Sequence, residues 1–438
     1  MKMITQLQEA WKLPDLRKRM TFMLWGFLVF VIGRHIPLHQ VDSAALERML
    51  GGGTSENLFS LLNMFSGGAL KQFSLFALGV MPYINASIMM QLVSVAVPSV
   101  KKLAQEGEHG RKVMSAWTRW LTVALAFGQG FGLVQMLRSA GALQATFGAT
   151  VGIVITVAAA TMFLLWLGEQ ITEKGIGNGV SLIIFIGIMV AMPSELARTF
   201  ELARQGATSW TGVALLLTIF TLTIMGVIFI QKGERQIHVQ YAKRVVGTRM
   251  MGGASTFLPM KVNQAGVMPI IFAMSVATFP ATILTFITTD AQWVINLRNF
   301  VDTYLNPSGG RWGWPMLISL SLYFLLVVLF TFFYTAVTYD PADVSNNLKK
   351  WGGQIKGIRA GAETTRYIDR VLTRITFAGA LFLGVLAILP TIVPLVTKVY
   401  TFGLVGGTSL LIVIGVAMET MQQIEAHLLM RHYKGFIN

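Results

Sequence analysis

The stretch QGATSWTGVALLLTIFTLTIMGVIFIQ, positions 205–231, holds no Lys, Arg, Asp or Glu and is followed at once by Lys232. A helix rises about 1.5 Å per residue, so a hydrocarbon core about 30 Å thick takes roughly 20 apolar residues to cross. This stretch meets that length and reads as one membrane crossing. Eight more charge-free stretches share its character: 73–100, 120–137, 139–168, 175–194, 262–289, 312–339, 375–397 and 399–418. A weaker one, 20–33, precedes them. The sequence therefore predicts an all-α polytopic membrane protein with ten transmembrane helices.

The joining loops alternate between basic and nearly uncharged. Assigned to sides in turn, they place 26 of the 35 basic residues on one side. The positive-inside rule then puts both termini in the cytoplasm, in a multi-pass protein of the plasma (cytoplasmic) membrane. A chain 54% hydrophobic and only 13% charged does not suit a soluble domain. The net charge of +15 would also suit nucleic acid. Topology accounts for most of it, because Lys and Arg facing anionic lipid contribute about 1 kcal/mol each. The absence of Cys excludes disulfides, thiolate metal sites and thiol catalysis. No small-residue cleavage site follows the first apolar run, so that span is expected to be retained.

Ten spans divide into an N-terminal half, 1–200, with spans one to five, and a C-terminal half, 201–438, with spans six to ten. An odd number of crossings per half turns the halves over relative to each other, the setting of inverted repeats with a site near the membrane midplane. The second span of each half carries the same four letters: Gly79-Val80-Met81-Pro82 and Gly266-Val267-Met268-Pro269. Each proline lacks an N–H and clashes with a preceding turn, so each span should kink or start there. Between spans one and two, Gly51-Gly52-Gly53 reads as a tether to an apolar segment, 57–70, far too short to cross. Two basic loops, 231–262 and 339–374, are longer than charge bias requires and read as a docking surface.

Recognisable reaction chemistry is missing. No P-loop occurs, and Gly175-Ile176-Gly177-Asn178-Gly179 reads as a tight turn between two spans. Neither a G-x-S-x-G elbow nor an H-E-x-x-H pair is present. No catalytic residue, metal ligand or cofactor is expected. Ion-coupled transporters place charges inside the bilayer despite a cost of roughly 2.5–3.5 kcal/mol at a helix centre. Here Glu169 and Glu419 only end charge-free runs. Three function classes stand at this point: a passive polypeptide channel, a secondary transporter with inverted repeats, and an intramembrane enzyme.

Four segments tip the balance: Asn63-Met64-Phe65-Ser66-Gly67-Gly68-Ala69-Leu70, Met81-Pro82-Tyr83-Ile84-Asn85-Ala86-Ser87-Ile88, the run from Gly168-Glu169-Gln170 through Gly177-Asn178-Gly179, and Gly406-Gly407-Thr408-Ser409-Leu410-Leu411-Ile412. Together they closely resemble the bacterial SecY family, large subunits of the Sec protein-conducting channel, and the likeness follows chain order from span one to span ten. The resemblance implies a clamshell of two five-helix halves around an hourglass pore. Its waist would be an aliphatic ring of Val80, Ile84, Val180, Ile184, Ile271 and Ile412. Spacing alone agrees that 80 and 84, and 180 and 184, share helix faces, which ordinary helix packing would serve equally. The segment 57–70, with Asn63, Met64, Phe65, Ser66, Gly67 and Gly68, matches the family's plug. Spans two, three, seven and eight would form a lateral gate, with Ser87, Gln91 and Asn263 as its polar residues. Lys243, Arg244, Arg249 and Arg359 match loop residues that dock the ribosome, with its RNA, or the SecA ATPase. The implied partners also include SecE- and SecG-like small membrane subunits, signal peptides, unfolded polypeptide substrates and anionic lipid.

Overall fold

Proline marks where the helices begin. In the computed structural model, which describes residues 8–38, 66–70, 73–139, 141, 143, 146–241, 244–246, 249–251, 255–286, 291–305, 313–399 and 408–434, helix after helix opens on one. Pro14 starts α1 (Pro14–Arg34), Pro82 is second in α2 (Met81–Ala96), and Pro98 starts α3 (Pro98–Gln105). The missing N–H costs nothing there, because the first turn's donors have no helical partner anyway. The chain continues with α4 (Glu108–Ser139), α5 (Phe147–Lys174), α6 (Gly179–Arg204) and α7 (Trp210–Lys232). Then come strands β1 (Glu234–Tyr241), β2 (Arg244–Val246), β3 (Arg249–Met251) and β4 (Ser255–Lys261). The rest is α8 (Met268–Phe286), α9 (Gln292–Tyr304), α10 (Trp314–Thr338), α11 (Pro341–Lys350), β5 (Gly353–Ile355), α12 (Ala362–Thr397) and α13 (Thr408–Lys434).

Among the described residues, five helical stretches are long and apolar enough to cross a membrane: Phe147–Lys174, Gly179–Arg204, Trp210–Lys232, Trp314–Lys350 and Ala362–Thr397. Large apolar side chains project outward from them, Phe229 and Trp314 among the most exposed. An apolar surface of that extent requires an apolar solvent. The charge-free stretch 73–100 is not one continuous helix. Its first eight residues are turns, and α2 has only 16 residues before the chain bends at Val97. The cause is the repeated four-letter segment. Gly79 and Gly266 both adopt left-handed backbone, φ +55° and +65°, and the helix starts two residues later at Met81 and Met268. Both prolines therefore open a helix instead of kinking one.

The turns at 73–80 are held from both sides. Phe73 O and Ile36 O accept from Leu38 N and Leu75 N at 3.0 and 2.9 Å. The Phe76 ring stacks between Phe30 of α1 and Phe163 of α5, 5.8 and 6.2 Å between centroids. Helix contacts run α1 on α5 and α6, α2 on α4, α4 on α5, α5 on α6, then α8 on α10, α10 on α12, and α12 on α7. The sequence halves meet where α13 packs on α6, α7 touches α6, and α8 touches α4.

The two long loops make one small folded unit. β1 pairs antiparallel with β4, from Glu234↔Lys261 to Gln240↔Ser255, and its other edge pairs with β5 of the second loop, Val239↔Ile355. Ile237 and Val239, two apart on β1, point to one face and bury against Met260, Ile355, Ile368 and Leu372. Tyr339 packs there too, and its hydroxyl has no partner among the described residues. This unit sits tightly on α12: a Cβ on Gly379 would lie 2.6 Å from the Val262 carbonyl oxygen.

Two substitutions test this packing. The Cβ position of Gly384 lies 2.5 Å from the Phe324 ring, so Gly384→Val should lower stability by about 1–3 kcal/mol, read as thermal unfolding in detergent. Tyr339→Phe, which removes a buried hydroxyl with no partner among the described residues, should leave the unfolding temperature unchanged or raise it.

Candidate functional site

Four helix beginnings converge on one apolar centre. Val80 is the residue before α2, only 1% exposed, and Ile84 lies one turn on. Ile271 sits in the first turn of α8 and Ile412 near the start of α13; both are buried. Ile184 is one turn from Val180, at the start of α6. Val80, Ile84, Ile184, Ile271 and Ile412 belong to one cluster of buried side chains, with half-buried Val180 packed against it. Val180 also faces α5, 3.1 Å from the position a Cβ would take on Gly168. The cluster also includes Phe30, Leu164, Phe272, Tyr323 and Leu383, so it is broader than a ring of six.

Local chemistry sets these starts. Asn178 caps α6, its Oδ1 accepting from Val180 N and Ser181 N at 3.1 and 3.2 Å. Thr172 Oγ1 accepts from Gly179 N at 2.8 Å. Gly177 stands at φ +94° and Gly179 packs on the Gly168 carbonyl, so side chains are excluded from both.

Of the expected plug, Asn63, Met64 and Phe65 lie outside the described residues. Ser66, Gly67 and Gly68 are buried, and Ser66 Oγ accepts from Leu70 N at 3.3 Å. Gly67 rests directly on α6: a Cβ there would lie 2.7 Å from Gly187 Cα. Gly187 is one turn beyond Ile184, which puts this segment beside the apolar centre. Arg34, buried at the end of α1, closes over Gly68. Sequence reading did not single out Gly187 or Arg34. The only trace of the former is a glycine in an otherwise bulky helix, a signal for close backbone approach.

Ser87 and Gln91, one turn apart on α2, line an open cleft of about 250 Å3 whose far wall is Arg111, Met114, Ser115 and Thr118 of α4. Asn263 is elsewhere. Its Nδ2 donates to Gly266 O at 3.0 Å and braces the turn before α8, while its buried Oδ1 has no partner among the described residues. No hydrogen bond joins it to Gln91 among the described residues. In the loop unit, Lys243 lies outside the described residues. The backbones of Arg244 and Arg249 lie on the paired strands β2 and β3, Arg244 opposite Met251 and Arg249 opposite Val246. Arg359 is exposed two residues before the glycine that precedes α12. Among the described residues, no three His, Asp or Glu side chains gather where they could hold a metal ion.

A bundle that contains membrane-length helices and gathers interrupted helix starts at an apolar centre is the build of a multi-pass membrane protein. Its fold is shared with solved protein-conducting channels. The structure titled "The structure of a protein conducting channel" matches with a TM-score of 0.64 at 16% identity, over 94% of this chain and 92% of that one. Sec61 in the canine ribosome-channel complex from the endoplasmic reticulum matches with a TM-score of 0.59 at 17% identity, over the same shares. The SecY family model matches residues 74–421, and the chain belongs to the SecY family. Curated relatives named protein translocase subunit SecY include one from Streptomyces coelicolor, 42% identical over 99% of this chain and all of the relative. The Escherichia coli protein of that name is 40% identical over 96% of this chain and 94% of the relative.

The seat of the 66–70 segment is open to test. Gly67→Val forces a branched side chain onto positive φ and onto α6. In a Ser66→Cys background it should raise labelling by a polar maleimide about tenfold, against a cost of about 1–3 kcal/mol for overpacking.

Proposed function

We propose that this protein is the channel subunit of a protein translocase, passing unfolded secretory polypeptides across the cytoplasmic membrane and membrane helices sideways into it. In this reading ten spans form two inverted five-helix halves, 1–200 and 201–438, with both termini in the cytoplasm. The observation that carries the function is the convergence of Val80, Ile84, Ile184, Ile271 and Ile412, drawn from four helices, into one apolar centre beside the seat of Gly67. Branched apolar side chains around a narrow axis exclude ions by dewetting, and they form no directional bond to a sliding chain. The segment 57–70 is the seal of the idle state.

The lateral gate is the seam where α8 meets α4, with α2 and α10 flanking it. Gln91 and Ser87 in the α2–α4 cleft are its polar lining. Asn263 acts as a brace at the start of α8. The loop unit, with Lys243, Arg244, Arg249 and Arg359, is the docking surface for a ribosome or a SecA-like ATPase, and two SecE- and SecG-like subunits complete the channel. The secondary-transporter reading draws no support from the aliphatic side chains of Val80, Ile84, Ile184, Ile271 and Ile412 that gather at the site.

Crosslinking decides the matter. The chain has no Cys, so single cysteines at Ile84, Ile184, Ile271 and Ile412 are unique thiols. A stalled secretory chain carrying a thiol-reactive group should crosslink to all four and not to cysteines at outward-facing Phe229 or Leu325. Crosslinks at the outward positions alone would overturn the assignment.

A further inference from the structure

The turn before α6 is held by partners both near and far in the sequence. Arg19 Nη1 donates to Gly175 O at 3.1 Å, Thr172 takes the N–H of Gly179, and Asn178 caps the helix. One donor goes far afield. Gly177 N bonds Gln423 Oε1 at 2.8 Å, across 246 positions of sequence, onto the middle of α13. Thr420, three residues earlier on α13, lies 3.2 Å from where a Cβ of Gly177 would stand. Ile424 buries with Ile176 and Leu16 in a cluster of its own. Three consecutive contacts on one face of α13 thus grip a turn of the other sequence half. On the neighbouring residue, Gln422 Oε1 accepts from Lys261 Nζ of β4 at 3.4 Å, in the loop unit.

We propose that Gln423 is a positioning residue for the channel. It fixes α6 lengthwise against α13, and so fixes Val180 and Ile184 opposite Ile412. The inference rests on the pore reading given above. Val180 comes three residues after Gly177 and Ile184 one turn later, so a slip of the turn along α13 carries both out of register. α13 begins at the apolar centre, passes this turn about three helical turns later and continues to Lys434, and a helix transmits such a displacement along its length. A single neutral hydrogen bond is modest in net strength, so a partner docking on β4 and pulling on Gln422 is able to release it.

The test uses the full channel complex in lipid vesicles, with ion leak through the idle channel as the readout. Gln423→Met keeps side-chain length but removes the acceptor, and should raise leak roughly fivefold, the population shift expected from losing one neutral hydrogen bond. Gln423→Glu keeps an acceptor oxygen and should stay close to the parent. Gln423→Asn, one methylene short of Gly177, serves if the methionine variant does not fold, and should leak as expected for the methionine variant. An unchanged leak in whichever of these two folds overturns the proposal, as does a leak in Gln423→Glu equal to theirs. Ile184→Ser separates the two levels of inference. If it leaks while the Gln423 variants are tight, only the positioning role fails. If it too is tight, the pore reading fails and takes this proposal with it.

Discussion

Hydrocarbon cannot hydrogen-bond an amide, and the architecture follows from that constraint. A helix that begins within the membrane exposes its first N–H groups, each costing several kcal/mol if left facing lipid. This chain begins α2 and α8 after left-handed glycines inside otherwise apolar stretches. Such starts have to be buried in protein, and Val80 at 1% exposure and Ile271 at 7% are buried accordingly. What lies next to interrupted starts therefore becomes the interior. A set of aliphatic residues from distant parts of the sequence meets there because their helices cannot begin elsewhere.

Glycine then decides how closely the pieces approach. Gly67 on Gly187 brings two backbones together where any side chain would hold them apart. Gly168 makes room for Val180, and Gly379 lets the loop unit sit on α12. These contacts make no strong bonds. Their effect is geometric: they set distances that dispersion and exclusion of lipid then hold.

The loop unit follows soluble-protein rules on a membrane scaffold. Its strands alternate buried and exposed residues, and its core of Ile237, Val239, Met260, Ile355, Ile368 and Leu372 draws on both long loops and the first turns of α12. Two loops that lie far apart in the sequence, 231–262 and 339–374, therefore share one sheet and one core. Lys261 of β4 also ties this unit to Gln422 of α13.

Much of this was legible in the chain itself. Charge-free stretches such as 205–231 marked membrane helices because desolvating a charge is too costly to hide, and the repeated Gly-Val-Met-Pro marked two breaks, each a kink or a start, because proline and glycine act locally. The two long basic loops stood out by length. Tertiary structure alone decided that these loops share a sheet, since strand pairing between distant segments leaves little trace in either one. It alone seated Gly67 on Gly187, turned Asn263 toward its own helix start instead of toward Gln91, and joined Gly177 to Gln423. Local rules depend on neighbours in sequence and are written there; close approach and hydrogen bonding across 246 positions depend on neighbours in space, which only the folded chain supplies.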